Sequence, residues 1–222
     1  MQKRTVPLLL LVALACLGMG LVDALWQPGY VIKSALKLLL FLLLPVGYSL
    51  WNRELSLRSL FRPEKKGLGL AVGMGAGVYA LVLLAFLLFR EVFDFSALTG
   101  SLTSATGVHR GNFLWVALYI SFVNSLLEEF FFRGFAFLAL KQIAPRTFAY
   151  LFSAGMFAVY HIAMMLGWFA WPVVCLALLG LFVGGLIFNY FNEKYNNIYL
   201  SWLIHMFANF ATNTIGFLLF QA

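Results

Sequence analysis

Seven stretches of about 20 mostly apolar residues run through this chain of 222 residues. They span Val6–Leu25, Val31–Trp51, Leu68–Phe89, Phe113–Leu140, Thr147–Leu166, Pro172–Phe191 and Ile198–Phe220. A helix of about 20 residues crosses the ~30 Å hydrocarbon core of a bilayer. Inside lipid every backbone N–H and C=O must be paired within the chain, so segments of this kind fold as helices. The prediction is an all-α fold, a polytopic membrane helical bundle of about seven (six to eight) transmembrane helices. Composition agrees, since only 10% of residues are charged and 63% are hydrophobic. A soluble domain covers itself with about a quarter charged residues. The exterior must therefore face a lipid bilayer, which excludes a soluble enzyme, a disordered segment and a conventional nucleic-acid-binding domain.

The net charge of +7 reads as topology, with no nucleic acid as partner. With the N-terminus inside, cytoplasmic segments hold ten basic residues: Lys3, Arg4, Arg53, Arg58, Arg62, Lys65, Lys66, Lys141, Arg146 and Lys194. The opposite side holds four: Lys33, Lys37, Arg90 and Arg110. That asymmetry predicts N-in and C-out. Lys3 and Arg4 ahead of an apolar run with Ala13-Leu14-Ala15 resemble a cleavable leader. Apolar sequence continuing to Leu25 favours a retained first span. Asn52–Gly67, basic and leucine-spaced, suggests a short interfacial helix, and Arg90–Asn112 reads as a loop. Gly67–Gly77 and Gly180, Gly184 and Gly185 are expected to permit close helix approach, with Gly73 and Gly77 forming a GxxxG. Cys16 and Cys175 form no CxxC pair and imply no disulfide framework.

The informative residues violate the apolar trend. Of eight acidic residues, only Glu128 and Glu129 lie deep in an apolar segment. His161 and His205 are also within spans, and an ionisable group at membrane depth costs at least ~2.5 kcal/mol. Ser121, Ser125 and Glu128 share a helix face, with Asn124 beside it, while Glu129 and Arg133 have the i, i+4 spacing of an intrahelical ion pair. Glu128 points about 100° away from Glu129, so the two carboxylates have different surroundings and suit different roles. Phe157 and His161 are one turn apart in the fifth span, with Ser153 a turn before them. His205, Asn209 and Asn213 share a face of the seventh. Asn124, Ser153 and Asn213 read as interhelical hydrogen-bond partners. Phe130, Phe131, Phe132 and Phe135 read as apolar walls or lipid contacts.

The ordered set Glu128-Glu129-xxx-Arg133, Phe157-xxx-His161 and His205-xxx-Asn209 resembles the CPBP family of intramembrane proteases. That family (CAAX protease and bacteriocin-processing, also called Abi) includes the type II CAAX-prenyl endopeptidases. The resemblance covers about residues 113–215 and leaves 1–112, the N-terminal helices and basic loop, without a motif. It divides the chain into that N-terminal part and a catalytic core at 113–222. The resemblance implies peptide hydrolysis, with Glu128 as general base and His161 holding the water. It places His205 and Asn209 at the developing oxyanion, with Glu129 orienting the site through Arg133, and Phe157 supporting it. The expected cofactor is none. Zinc at Glu128, His161 and His205 is the alternative, since one carboxylate and two imidazoles form a catalytic zinc set.

The implied partner is a membrane-associated peptide or protein substrate, and short loops suit a bacterial cell membrane. Two other functions compete: a non-catalytic immunity or regulatory membrane partner of the Abi type, and a small transporter using the polar face as an ion path. Against transport, the two halves show no internal repeat.

Overall fold

A computed structural model describes residues 5–52, 57–61, 65–91, 100, 103–104, 107–165 and 171–221. Seven helices in it are long and apolar enough to cross a membrane: α1 Thr5–Trp26, α2 Tyr30–Trp51, α3 Leu68–Phe89, α4 Phe113–Ala139, α5 Arg146–Met165, α6 Trp171–Tyr195 and α7 Tyr199–Phe220. The described residues form no strand, and the fold is the expected all-α bundle. Lys3, Arg4, Arg53, Arg62 and parts of the Asn52–Gly67 and Arg90–Asn112 connections lie outside the described residues. Of the expected interfacial helix, only a short 3₁₀ turn at Arg58–Phe61 is described.

The breaks between helices follow from local chemistry. Gln27 adopts a left-handed conformation (φ 47°) ahead of Pro28 and Gly29, which separates α1 from α2. Asn196, at φ 48°, turns α6 into α7, and asparagine is among the side chains that accept that geometry. Within α2, Pro45 has no N–H to donate and its ring crowds the carbonyl four residues back. The helix widens at Leu39–Leu43, immediately before it, and so continues past the proline.

Helix α4 is the centre of the bundle. It widens twice, at Tyr119–Asn124 and again at Glu129–Ala139, with Ser125–Glu128 as a regular turn between. Such wide turns concentrate at functional sites. The four phenylalanines around the acidic pair are walls, not lipid contacts: Phe130, Phe131, Phe132 and Phe135 are all buried. Phe131 stacks on Phe41 of α2 with centroids 4.0 Å apart, and Phe132 meets Phe157 of α5 edge to face at 5.2 Å. Each aromatic pair adds about 0.5–1.5 kcal/mol beyond its buried area.

Among the glycines expected to permit close approach, Gly67, Gly75 and Gly185 are in tight contact, and the GxxxG expectation is corrected. A Cβ at Gly73 or Gly77 would meet nothing within 4 Å, and the same holds for Gly180 and Gly184. At Gly185 a Cβ would lie 3.1 Å from Ala154, so α6 closes on α5 there. At Gly75 it would collide with Phe207 of α7. One end of the bundle is tied by polar contacts. Thr5 Oγ1 donates to the Ile143 carbonyl, and Glu193 pairs with Lys141 at 2.9 Å and Arg146 at 2.7 Å. At the opposite end Lys33 pairs with Asp23 at 2.5 Å.

Candidate active site

Three helices, α4, α5 and α7, bring predicted polar groups together around Glu128, and α2 adds Lys37. Its carboxylate is 2% exposed, and its two oxygens face different partners. Oε1 accepts from Lys37 Nζ at 2.5 Å and from Asn124 Nδ2 at 3.1 Å. Oε2 faces Nε2 of His205 at 3.6 Å and Nε2 of His161 at 4.0 Å.

The histidines are held by their other nitrogens. Helix α5 loosens at His161, whose backbone N–H bonds to the Ala158 carbonyl three residues back. The tighter bond leaves the Phe157 carbonyl, the usual partner four residues back, to accept from His161 Nδ1 at 2.7 Å. A carbonyl can only accept, so Nδ1 carries the proton and Nε2 presents a lone pair toward Glu128. His205 Nδ1 is 2.9 Å from Glu129 Oε1, and the same reasoning turns its Nε2 lone pair inward. Carboxylate and carbonyl backing of this kind fixes an imidazole's tautomer and orientation.

Glu129 and Arg133 form the expected pair, with Arg133 Nε 3.5 Å from Glu129 Oε2 and both side chains fully buried. The guanidinium lies 4.0 Å over the Phe157 ring and 5.1 Å over that of Phe188. Ring faces thereby stabilise a cation none of whose nitrogens makes a hydrogen bond among the described residues. Phe157 also meets the His161 ring edge to face at 4.6 Å. Asn209 stands apart from the carboxylates, donating instead to the Ile120 carbonyl of α4 at 3.1 Å.

Asn213 and Ser153 behave as interhelical braces. Asn213 donates to the Ala117 carbonyl and Ser121 Oγ, and Ser153 donates to the Phe132 carbonyl. Asn124 does more than the sequence suggests, bonding both Glu128 and Lys37. Lys37 is the larger correction. Counted in the sequence among the charges of the outer side, it is buried, at 4% exposure, against Glu128. Its position inside the apolar run of α2, one turn deeper than Lys33, was the available signal, because an ionisable group at membrane depth is a functional candidate.

The convergence of Glu128, His161 and His205 raises the zinc alternative. Among the described residues no group of three or more His, Cys, Asp or Glu side chains is spaced to hold a metal ion. Lys37 also sets a positive charge on Glu128 Oε1. The arrangement suits a water donating one proton to Glu128 Oε2 and the other to an imidazole Nε2.

No curated protein and no solved structure matched the chain in comparison. Residues 110–211 match a protein-family model described as Rce1-like, type II CAAX prenyl endopeptidase. That stretch contains Glu128, Glu129, Arg133, Phe157, His161, His205 and Asn209. Over this segment the chain is similar to the CAAX protease family.

Proposed function

We propose that the protein is an intramembrane endopeptidase that hydrolyses a peptide bond of a membrane-associated substrate with a water activated at Glu128. The observation that carries this reading is the inward Oε2 of Glu128 facing two imidazole Nε2 atoms, 3.6 and 4.0 Å away. Glu128 removes a proton from the water as its oxygen attacks the scissile carbonyl. His161, anchored on the Phe157 carbonyl, holds the water through Nε2. His205 stands beside the oxyanion of the tetrahedral intermediate. It donates when its ring carries a second proton, and Glu129 on Nδ1 compensates that charge. Asn209, on the same face of α7, is the second donor, once its amide exchanges the Ile120 carbonyl for the oxyanion. Glu128 then passes its proton to the leaving amine, and the C–N bond breaks. Placement of the site deep among apolar helices requires a substrate that is itself membrane-associated.

Glu128→Gln keeps the shape of the side chain and removes the base. Peptidase activity of the purified protein in liposomes is expected to fall by about 10³-fold, within the 10²–10⁴ span of general-base contributions. Cleavage by this variant at the wild-type rate would eliminate the mechanism. Full retention of the cellular phenotype by this variant would instead favour the non-catalytic partner reading.

The reading is also metal-free. Activity is expected to survive exhaustive chelation, and loss that zinc restores would transfer Glu128, His161 and His205 to the role of ligands. We further propose a bacterial cell membrane, with the N-terminus cytoplasmic. The end that joins Thr5, Ile143 and Glu193 is then the inner one, with Lys141, Arg146 and Lys194 beside it.

A further inference from the structure

Lys37 lies outside the segment matched by the family, in a helix pair to which the sequence assigned no motif. Its ammonium donates to Glu128 Oε1 at 2.5 Å and to Asn124 Oδ1 at 2.6 Å. The rings of Tyr160 and Phe41 close around it, with centroids 5.1 and 5.5 Å away. Burying a lysine forfeits its hydration and the freedom of a four-carbon stem, and apolar packing alone returns neither. What returns them here is the carboxylate.

The charges in the bundle interior make the case sharper. Glu128 and Glu129 are two buried anions. Arg133 pairs with Glu129, and Lys37 pairs with Glu128. Without Lys37, Glu128 has no cation held against it, only the Asn124 amide and the imidazoles. The oxygens of Glu128 are also divided, with Oε1 occupied by Lys37 and Asn124 and Oε2 turned to the histidines.

We propose that Lys37 is a positioning residue for the hydrolysis: it clamps Glu128 through Oε1 and so keeps Oε2 aimed at the water. The inference rests on the reading of Glu128 as the base. It makes α2 a working part of the active site, contributed by the N-terminal half of the chain.

The test compares Lys37→Met, Lys37→Arg and Lys33→Met in the full-length protein, reconstituted with one cleavable membrane peptide. Lys37→Met is expected to lower kcat by about 100-fold with KM within about threefold, a loss of the chemical step rather than of binding. Lys37→Arg restores a cation and is expected to recover about a tenth of the wild-type kcat. Lys33→Met, which removes the pair with Asp23 and leaves the Lys37–Glu128 contact in place, should keep kcat within about twofold. Wild-type kcat in Lys37→Met overturns the proposal, as does a loss confined to KM, which would place the ammonium on the substrate. A wild-type protein that cleaves nothing instead removes the reading of Glu128 on which the proposal rests. If Lys37→Met does not fold, Lys37→Met combined with Glu128→Gln is the second measurement. Removing both charges should restore a folded protein, and a double variant that also fails to fold overturns the pairing.

Discussion

Helices α3 and α4 are both long and apolar, yet they are built on opposite principles. Helix α3 has a mean hydropathy of 2.3 in its most apolar stretch, and 6% of that stretch is buried. Helix α4 has a mean hydropathy of 1.3 and is 50% buried. In water the greasier helix would be the hidden one. In a bilayer lipid tails solvate leucine as well as another helix does, so apolar side chains gain little from enclosure. Enclosure is needed for charge, and α4 carries Glu128, Glu129 and Arg133 where α3 carries no Asp, Glu, Lys, Arg or His. The two residues by which α3 is buried are the small Ala71 and Gly75, packed toward α7.

Three substitutions probe that contrast. On α4, Arg133→Met removes a cation from a fully buried ion pair and leaves Glu129 with only the His205 imidazole as partner. The expected destabilisation is about 3–5 kcal/mol, read from unfolding of the detergent-solubilised protein, with peptidase activity lost. A variant as stable as wild type would mean that the interior of α4 does not depend on charge pairing. On α3, Gly75→Leu forces a side chain into the Phe207 ring and is expected to cost about 1–3 kcal/mol. No loss of Tm there would show that α3 is held by lipid alone. Gly73→Ala, two residues earlier on the same helix, points into open space and is expected to change stability by no more than about 0.5 kcal/mol. An effect as large as that of Gly75→Leu would locate the α3 contact on the wrong face.

The bundle was legible in the sequence because hydrocarbon imposes a length and a composition that local sequence displays directly. The structure places the helix ends within a few residues of the predicted ones, except that α6 runs on to Tyr195. The motif residues were legible for a related reason, since Glu128, Glu129, His161 and His205 break an apolar background. Lys37 breaks the same background and was passed over. It lies near the start of α2, where a basic residue also serves topology, and only the tertiary fold shows that Glu128 is its partner. The pairing joins positions 91 residues apart in the chain. The GxxxG pair failed for a different reason. GxxxG describes which residues share a helix face but not which helix, or whether any, comes to meet it, and the close approaches in the glycine-rich stretches fall at Gly67, Gly75 and Gly185.

Phe157 contributes to the site twice, by unlike means. Its ring lies beneath the Arg133 guanidinium, and its main-chain carbonyl receives the proton of His161 Nδ1. A scan of side-chain replacements would register only the first. Every amino acid brings a carbonyl to that position, so the anchor of the imidazole persists through any substitution that leaves the end of α5 in place. Replacing the amide that follows Phe157 with an ester would weaken that acceptor while leaving the ring untouched. The two contributions of a single residue can in this way be separated by chemistry that the genetic code does not offer.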